Sequence, residues 1–275
     1  MHDSPADAAR YRWIILITAV CGFSAYAFVN QSVPPVITLI IRDLSISHAQ
    51  AGSLMGAFAF PGIFISLLAG MLSWHLGARR LGVLAFVCLA GGSLVTTLSH
   101  GYALLLASRL LAGAGGMTVA VIIPQLLAQW FHGRELGVAM AVFQASFTAS
   151  AIVAFNVFAR VGAAYTWSTV FAVSTLIAVF GGAVYALLAR PAPTAPGAVN
   201  PDASLWKSWQ TVLRNLWPLA FAWMCLNAAM ISILTFTPDL LIGRGWSPVV
   251  AGRITSMVLW PTLVVLPIFG WLVDR

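Results

Sequence analysis

The chain has 275 residues, of which 60% are hydrophobic and only 8% are charged, and it carries a net charge of +7. Its mean hydropathy is +0.93. So little polar surface cannot coat a water-soluble globule of this length, which excludes most soluble enzymes and binding modules. The composition predicts a protein whose main solvent is lipid.

Eight stretches without Asp, Glu, Lys or Arg divide the chain, and each can supply a membrane helix of about 20 residues. The short alternating strands of a membrane barrel are not seen. The pattern therefore predicts an all-α, polytopic membrane protein. The predicted helices lie near residues 13–40, 49–73, 81–98, 103–129, 136–160, 166–189, 216–241 and 248–273.

The N-terminal residues 1–12 carry acids as well as bases, and the apolar run after them is long enough to span a membrane. They predict a polar tail rather than a cleaved signal. A cytoplasmic tail would place nine Arg and Lys residues inside and four outside, which is the bias of inner-membrane proteins. We therefore expect a cytoplasmic N-terminus. Because this bias accounts for the net charge, no nucleic-acid partner is expected.

The longest polar stretch, 190–215, separates six predicted helices (13–189) from two (216–275). Four prolines in its first part, Pro191, Pro193, Pro196 and Pro201, predict a cytoplasmic linker without regular helix. Its second part has apolar residues at helical spacing beside Lys207 and Arg214. This part is either an interfacial amphipathic helix or the start of the next span.

An internal repeat is the most informative feature of the sequence. Residues 47–75 align without a gap on residues 247–275, and the matches include a serine, an Ala-Gly pair, a proline and a glycine. Ser47 with Gln50 predicts a capping box, and Ser247 followed by Pro248 predicts an N-cap with proline at the first helical position. Pro61 and Pro261 predict kinks, which serve either rocking or static packing. Both copies cross the membrane in the same direction, so six helices per half are expected.

Two loops and one helix carry a resemblance to a known family. Residues 70–80 (GMLSWHLGARR) and 270–275 (GWLVDR) resemble the Gly-x-x-x-Asp-Arg-x-Gly-Arg-Arg loop of the major facilitator superfamily. Arg109, Gly113 and Gly115 resemble its Arg-x-x-x-Gly-x-Gly pattern. Pro34-Pro35, residues 43–45 and residues 50–52 are similar to its cyanate and nitrate permease-like branch. The resemblance implies twelve helices in two bundles, of which the last four would lie beyond this chain.

The resemblance also implies a cytoplasmic gating loop that steadies one state of the transporter. The residues that would form it are Gly70, Gly77, Arg79, Arg80, Gly270, Asp274 and Arg275. The first copy has Trp74 in place of the acid, which suggests a loop that is weak or that depends on Asp274. Arg79, Arg80, Arg134 and Glu135 are expected to form a pairing network at the same surface.

A cavity between the two halves is where the resemblance places the solute. The polar residues of the helices that would line it are Tyr26, Asn30, Gln31, Arg109, Gln125 and Asn227. Arg109 lies roughly 9 Å into its predicted helix at 1.5 Å per residue, so it either faces the cavity or snorkels to the interface. The four amides either bind the solute or join helices.

No acid lies deep in a predicted span, which favours an anionic or neutral solute over a cation. The predicted fifth helix lacks the Gly-Pro pattern of antiporters, so uptake or uniport is favoured over drug or metabolite export. A proton is a candidate coupling ion. The Arg-rich composition points to a bacterial inner membrane.

Other classes fit the sequence less well. Five scattered His and three Cys within predicted spans show no metal, disulfide or catalytic spacing, so neither cofactor nor enzyme is expected. A receptor would not show the duplication, and a channel would need a filter loop or pore charges.

Overall fold

The computed structural model describes residues 5–131, 135–190 and 205–273, and the regular elements of this part of the chain are all helices. The helices are α1 (Pro5–Asn30), α2 (Ile37–Leu44), α3 (His48–Ala59), α4 (Pro61–Leu76), α5 (Ala78–Thr97), α6 (Tyr102–Trp130), α7 (Leu136–Ala164), α8 (Trp167–Leu188), α9 (Leu205–Gly243), α10 (Pro248–Met257) and α11 (Trp260–Val273). A 3₁₀ helix (Pro34–Val36) lies between α1 and α2.

Seven segments of the described part are long and apolar enough to cross a membrane. They confirm the predicted all-α, polytopic fold class. The predicted span 49–73 is not among the seven, because it is divided at Phe60 into α3 and α4, of 12 and 16 residues. Pro61 begins α4 and has no N–H to continue the helix of α3, which explains the division.

The predicted helix near residues 13–40 lies within one candidate membrane segment, Arg10–Leu44, which is interrupted before its last turns. α1 ends at Asn30 and α2 begins at Ile37. The cause is Pro34-Pro35, which removes two consecutive backbone donors and confines the chain to a 3₁₀ turn. α1 also begins at Pro5, inside the predicted polar tail. Both ends of this helix therefore differ from the prediction.

The two copies of the predicted repeat have the same local structure. Ser47 and Gln50 form the predicted capping box at the start of α3, and the Ser247 side chain accepts from Val250 N at the start of α10. Each first helix is then interrupted just before a proline, at Phe60 in one copy and at Val258-Leu259 in the other. The predicted caps and the predicted backbone interruptions are therefore confirmed.

The largest apolar core lies between α1, α5, α6, α7 and α8. Side-chain contacts identify the two ends of the molecule. Arg12 pairs with Glu135, and Trp130 donates to the carbonyl of Arg190, at what we call the Arg12 end. Ser53 bonds Tyr102, and the Trp167 indole donates to Asp43, at the other end. We call it the Trp246 end, after the residue between α9 and α10, because Asp239 near the end of α9 bonds His48 there.

The last three helices pack on this core along one seam. α10 and α11 lie against α7, while α9 contacts α2 and the 3₁₀ helix. α9 begins at Leu205, so the second part of the predicted linker is continuous with the next helix, whose candidate membrane span begins at Leu216. The proline-rich part, 191–204, lies outside the described residues.

Candidate solute and coupling site

Arg109 is the only charged residue of α6, and it lies two turns from the start of that helix. Small residues follow it on the same face, because Gly113 is four positions further and Gly116 seven. A Cβ on Gly113 would collide with the backbone carbonyl of Phe58. This close approach of α3 to α6 places the Phe58 ring over the Arg109 guanidinium, 4.5 Å from ring centroid to Cζ.

The Arg109 side chain is completely buried and binds the end of α1. Nη1 donates to the carbonyl of Val29 (3.0 Å) and reaches Ser32 Oγ (3.5 Å), and Nη2 donates to the carbonyl of Asn30 (3.4 Å). The last carbonyls of a helix lack partners within that helix, and they carry the negative end of its dipole. Arg109 therefore caps α1 where Pro34-Pro35 interrupts it.

The charge of Arg109 has no acidic partner in the described part of the chain, whose ion pairs are Arg12–Glu135 and His48–Asp239. Its Nε also lacks a hydrogen-bond partner. The side chain has no exposed surface, so in this structure it neither snorkels to the membrane interface nor lines an open cavity. Within the described part of the chain, a positive charge without an acidic partner thus lies inside the helix bundle, where carbonyl and hydroxyl dipoles and the face of the Phe58 ring hold it.

Tyr26 lies at the middle of the bundle, where a Cβ on Gly116 would touch its ring. Its ring packs against Phe23, Phe58 and Phe147 at centroid distances of 5.3, 6.1 and 5.8 Å. Tyr26 is thus part of an aromatic cluster that joins α1, α3 and α7, and Phe58 connects this cluster to Arg109.

The predicted amides do not converge on one point. Asn30 is half-buried beside Arg109, and Gln31 is buried with Oε1 unpaired. Gln125 lies sixteen residues beyond Arg109 on α6, about 24 Å away at 1.5 Å per residue. Asn227 donates to the Trp223 carbonyl of its own helix. The structure therefore brings Arg109 to the backbone of Asn30, next to Gln31 in the chain, and links it to Tyr26 through Phe58, but it does not place Gln125 or Asn227 with them.

The predicted gating loop is described only in its first copy. Gly77, at a φ of +77° that favours glycine, ends α4 and leads into α5. Arg79 donates to the carbonyl of Ala186 on α8, and Arg80 is exposed. Glu135 pairs with Arg12 rather than with either of them. Gly70 and Gly270 lie within α4 and α11, whereas Arg134, Asp274 and Arg275 lie outside the described residues.

Sequence reasoning missed a polar cluster at the Trp246 end. Asp239 Oδ1 accepts from Thr38 Oγ1 (2.8 Å), and Oδ2 lies 2.9 Å from His48 Nε2. These three residues lie on α9, α2 and α3. One signal was present in the sequence, since Asp239 is the single acid of the predicted helix 216–241.

A sequence profile of the Major Facilitator Superfamily matches residues 14–275. The chain belongs to the Major Facilitator Superfamily. Over 288 residues it is 26% identical to a probable nitrate/nitrite transporter, NarK2, of Mycobacterium tuberculosis, covering 100% of this chain and 68% of that protein. Over 260 residues it is 21% identical to a hexuronate transporter of Bacillus subtilis, covering 90% of this chain and 60% of that protein.

Solved structures show the same major facilitator fold. A D-xylose–proton symporter superposes with a TM-score of 0.69 at 17% identity, over 92% of this chain and 67% of that one. A bacterial homologue of the human lysosomal transporter Spinster, inward-facing and unoccupied, superposes with a TM-score of 0.75 at 16% identity, over 94% of this chain and 60% of that one. The predicted family, a family of transporters, and the predicted fold are confirmed. The chain spans about two thirds of the length of these proteins.

Proposed function

We propose that this major facilitator chain carries a small anionic solute across a bacterial inner membrane by alternating access, with uptake or uniport favoured over export. The observation that carries the proposal is the buried guanidinium of Arg109. A cation without a carboxylate partner creates a positive potential inside the bundle, which favours the entry of negative charge. A neutral solute would gain less from this potential than an anion would.

The relatives support the same solute class. Nitrate, nitrite and hexuronate, the solutes in the names of the two transporters reported above, are all anions. The similarity to the nitrate/nitrite transporter also agrees with the predicted cyanate and nitrate permease-like branch. Arg109 binds the backbone carbonyl of Asn30, and the next residue, Gln31, has a buried side-chain oxygen without a partner that is available to a polar solute.

The experiment is solute counterflow in proteoliposomes that contain the chain. The panel is nitrate, nitrite and glucuronate, with xylose as a neutral solute and ethidium as an organic cation. We expect counterflow of at least one anion. Transport of ethidium without any anion would contradict the solute class, and failure of the whole panel would contradict transport by this chain.

Two substitutions separate the charge of Arg109 from its role as a helix cap. Arg109→Lys keeps the charge but loses the planar fork that reaches two carbonyls, whereas Arg109→Gln loses the charge. We expect Arg109→Lys to retain part of the anion counterflow. Arg109→Gln should lower the counterflow rate more than about tenfold, because one lost charged contact costs about 1.5–3 kcal/mol. Arg160→Gln, an exposed arginine on α7, is the matched control and should not change transport. If Arg109→Lys and Arg109→Gln lose the same amount of counterflow and both unfold at a lower temperature, the role of Arg109 is structural only.

A further inference from the structure

A cavity of about 410 Å³ opens at the Trp246 end of the molecule. Its described lining residues lie on α2, at the end of α7 and at the start of α8, so it belongs to the helices before the linker. Small-molecule sites in proteins measure about 300–1,000 Å³. The cavity therefore has room for a small polar group, and it is separate from the buried site around Arg109.

One wall of the cavity carries two opposite charges. Leu39, Arg42 and Asp43 line it, and their spacing of three and four residues places them on one face of α2. Asp43 Oδ2 accepts from the Trp167 indole at 2.7 Å, and this indole is buried, with only 5% of Trp167 exposed. In the described part of the chain Asp43 Oδ1 has no hydrogen-bond partner, and Arg42 forms no ion pair. A guanidinium and a fixed carboxylate thus stand side by side with free hydrogen-bonding capacity.

The other wall lies at the boundary between membrane and water. Tyr165 and Ser168 line it, and their hydroxyls have no partner within the described residues. Tyr165 and Trp246 are both exposed at this end of the molecule. Tyrosine and tryptophan are enriched where a membrane meets water. The cavity is therefore at the depth of lipid head groups.

An exposed apolar face of α8 runs from the cavity toward the middle of the membrane. Val179 lies eleven residues after Ser168, about three turns, and so on the same face of the helix. It is 54% exposed, and Leu176 beside it is 70% exposed. Eleven residues span about 16 Å at 1.5 Å per residue, close to half of a hydrocarbon core of about 30 Å. A lipid with its head group in the cavity would thus find apolar surface for its chains through one leaflet.

The geometry points to a binding site for a zwitterionic phospholipid whose head group carries a primary ammonium, as that of phosphatidylethanolamine does. The phosphate accepts from the Arg42 guanidinium, and the ammonium, two carbons further along the head group, donates to Asp43 Oδ1. The hydroxyls of Tyr165 and Ser168 donate to the remaining phosphate oxygens.

Asp43 is the residue that selects among head groups. Phosphatidylcholine has a quaternary ammonium without an N–H for the carboxylate to accept. Phosphatidylglycerol has no cation, so its negative charge would lie beside that of Asp43. Both lipids keep the phosphate contact with Arg42, and so both should bind, but more weakly.

The experiment is native mass spectrometry of the purified chain in detergent, titrated with the three lipids, each carrying the same two oleoyl chains. We expect phosphatidylethanolamine to bind about fivefold more tightly than either of the others, the upper range for an exposed ion pair. Glycerophosphoethanolamine has the same polar group but no chains, and at equal concentration it should not displace the bound lipid. This compound separates a lipid from a water-soluble ligand of the same chemistry.

Four variants assign the contacts. Asp43→Asn keeps an oxygen for the Trp167 indole but loses the charge, and it should bind phosphatidylethanolamine and phosphatidylcholine equally. Arg42→Gln should weaken both about fivefold. Trp167→Phe should lower only the preference between them, because it frees the carboxylate. Arg244→Gln, an exposed arginine at the same end but outside the cavity lining, is the matched control and should bind as the parent chain.

The inference does not depend on the transported solute, so anion counterflow can fail while lipid binding holds. Three results would overturn it: equal affinity of the parent chain for the three lipids, a preference that Asp43→Asn leaves intact, or no binding of phosphatidylethanolamine. Displacement by glycerophosphoethanolamine at equal concentration would make the ligand a soluble zwitterion and would overturn the assignment to a lipid.

Discussion

The contacts of Arg109, Gly113 and Gly115 explain the spacing of the Arg-x-x-x-Gly-x-Gly pattern in α6. Arg109 and Gly113 are four positions apart and so lie on one face of the helix. Both contact Phe58, since the guanidinium lies over its ring and Gly113 lies against its carbonyl. Gly115 lies against the backbone of Ala85 and Leu89 on α5. The arginine and the two glycines thus allow α3 and α5 to pack closely on α6. This packing is a structural reason for the pattern, in addition to any role in binding a solute.

We expect Gly113→Ala to lower the stability of the chain by about 1–3 kcal/mol, because the new methyl group would overlap a backbone carbonyl that cannot rotate away. Gly91→Ala on α5 is the matched control. A Cβ there meets nothing within 4 Å, so the better helix propensity of alanine should stabilise by up to about 1 kcal/mol. Thermal unfolding in detergent measures both variants. A Gly113→Ala protein as stable as the parent would mean that α3 can move away from α6 at little cost.

At the scale of helices, the repeat has a counterpart in packing. Gly52 on α3 and Gly252 on α10 are equivalent positions of the two copies, and each faces a phenylalanine across the seam. Gly52 lies against the ring of Phe236 on α9. Gly252 lies against the backbone carbonyl of Phe155 on α7. Small residues permit such close helix approach in membranes. Each copy of the repeat therefore contributes one glycine to close helix packing across the seam.

The two glycines should differ in their tolerance of substitution. Gly252→Ala is expected to lower stability by about 1–3 kcal/mol, since its neighbour is backbone. Gly52→Ala should cost less than about 1 kcal/mol, because the Phe236 ring can rotate away. Gly56→Ala, on the same helix as Gly52 and with nothing within 4 Å, controls for helix propensity. Unfolding temperatures in detergent rank the three variants. A larger loss in Gly52→Ala than in Gly252→Ala would contradict the described seam.

At the scale of the whole molecule, the features that could be predicted are those set by residues close together in the sequence. Apolar runs gave the spans, and Ser47 and Ser247 gave two helix starts that the structure confirms. The partners of Arg109 and Asp239 could not be predicted in this way, because they lie 77 to 201 residues away and have no local pattern. The division of the predicted first helix was present in the sequence as Pro34-Pro35.

The uneven contacts of α9 predict different mobility of this helix at the two ends of the molecule. Contacts between α9 and the helices before residue 190 gather near Asp239, so spin labels at Tyr165 and Trp246 should give a narrow distance distribution. Labels at Leu187 and Leu219, at the Arg12 end, should give a broad one, because the side-chain hydrogen bonds of α9 to the helices before residue 190 lie at the other end. A pair at Leu187 and Leu84, both before the linker, is the control and should be narrow. Electron–electron double resonance in nanodiscs measures the distance distribution of each pair. A protein that exists in several states gives a wider distribution in the frozen sample, because each state has its own distance. Equal widths at both ends would mean that the seam is closed along its whole length, and alternating access would then need a different dividing line between the moving parts.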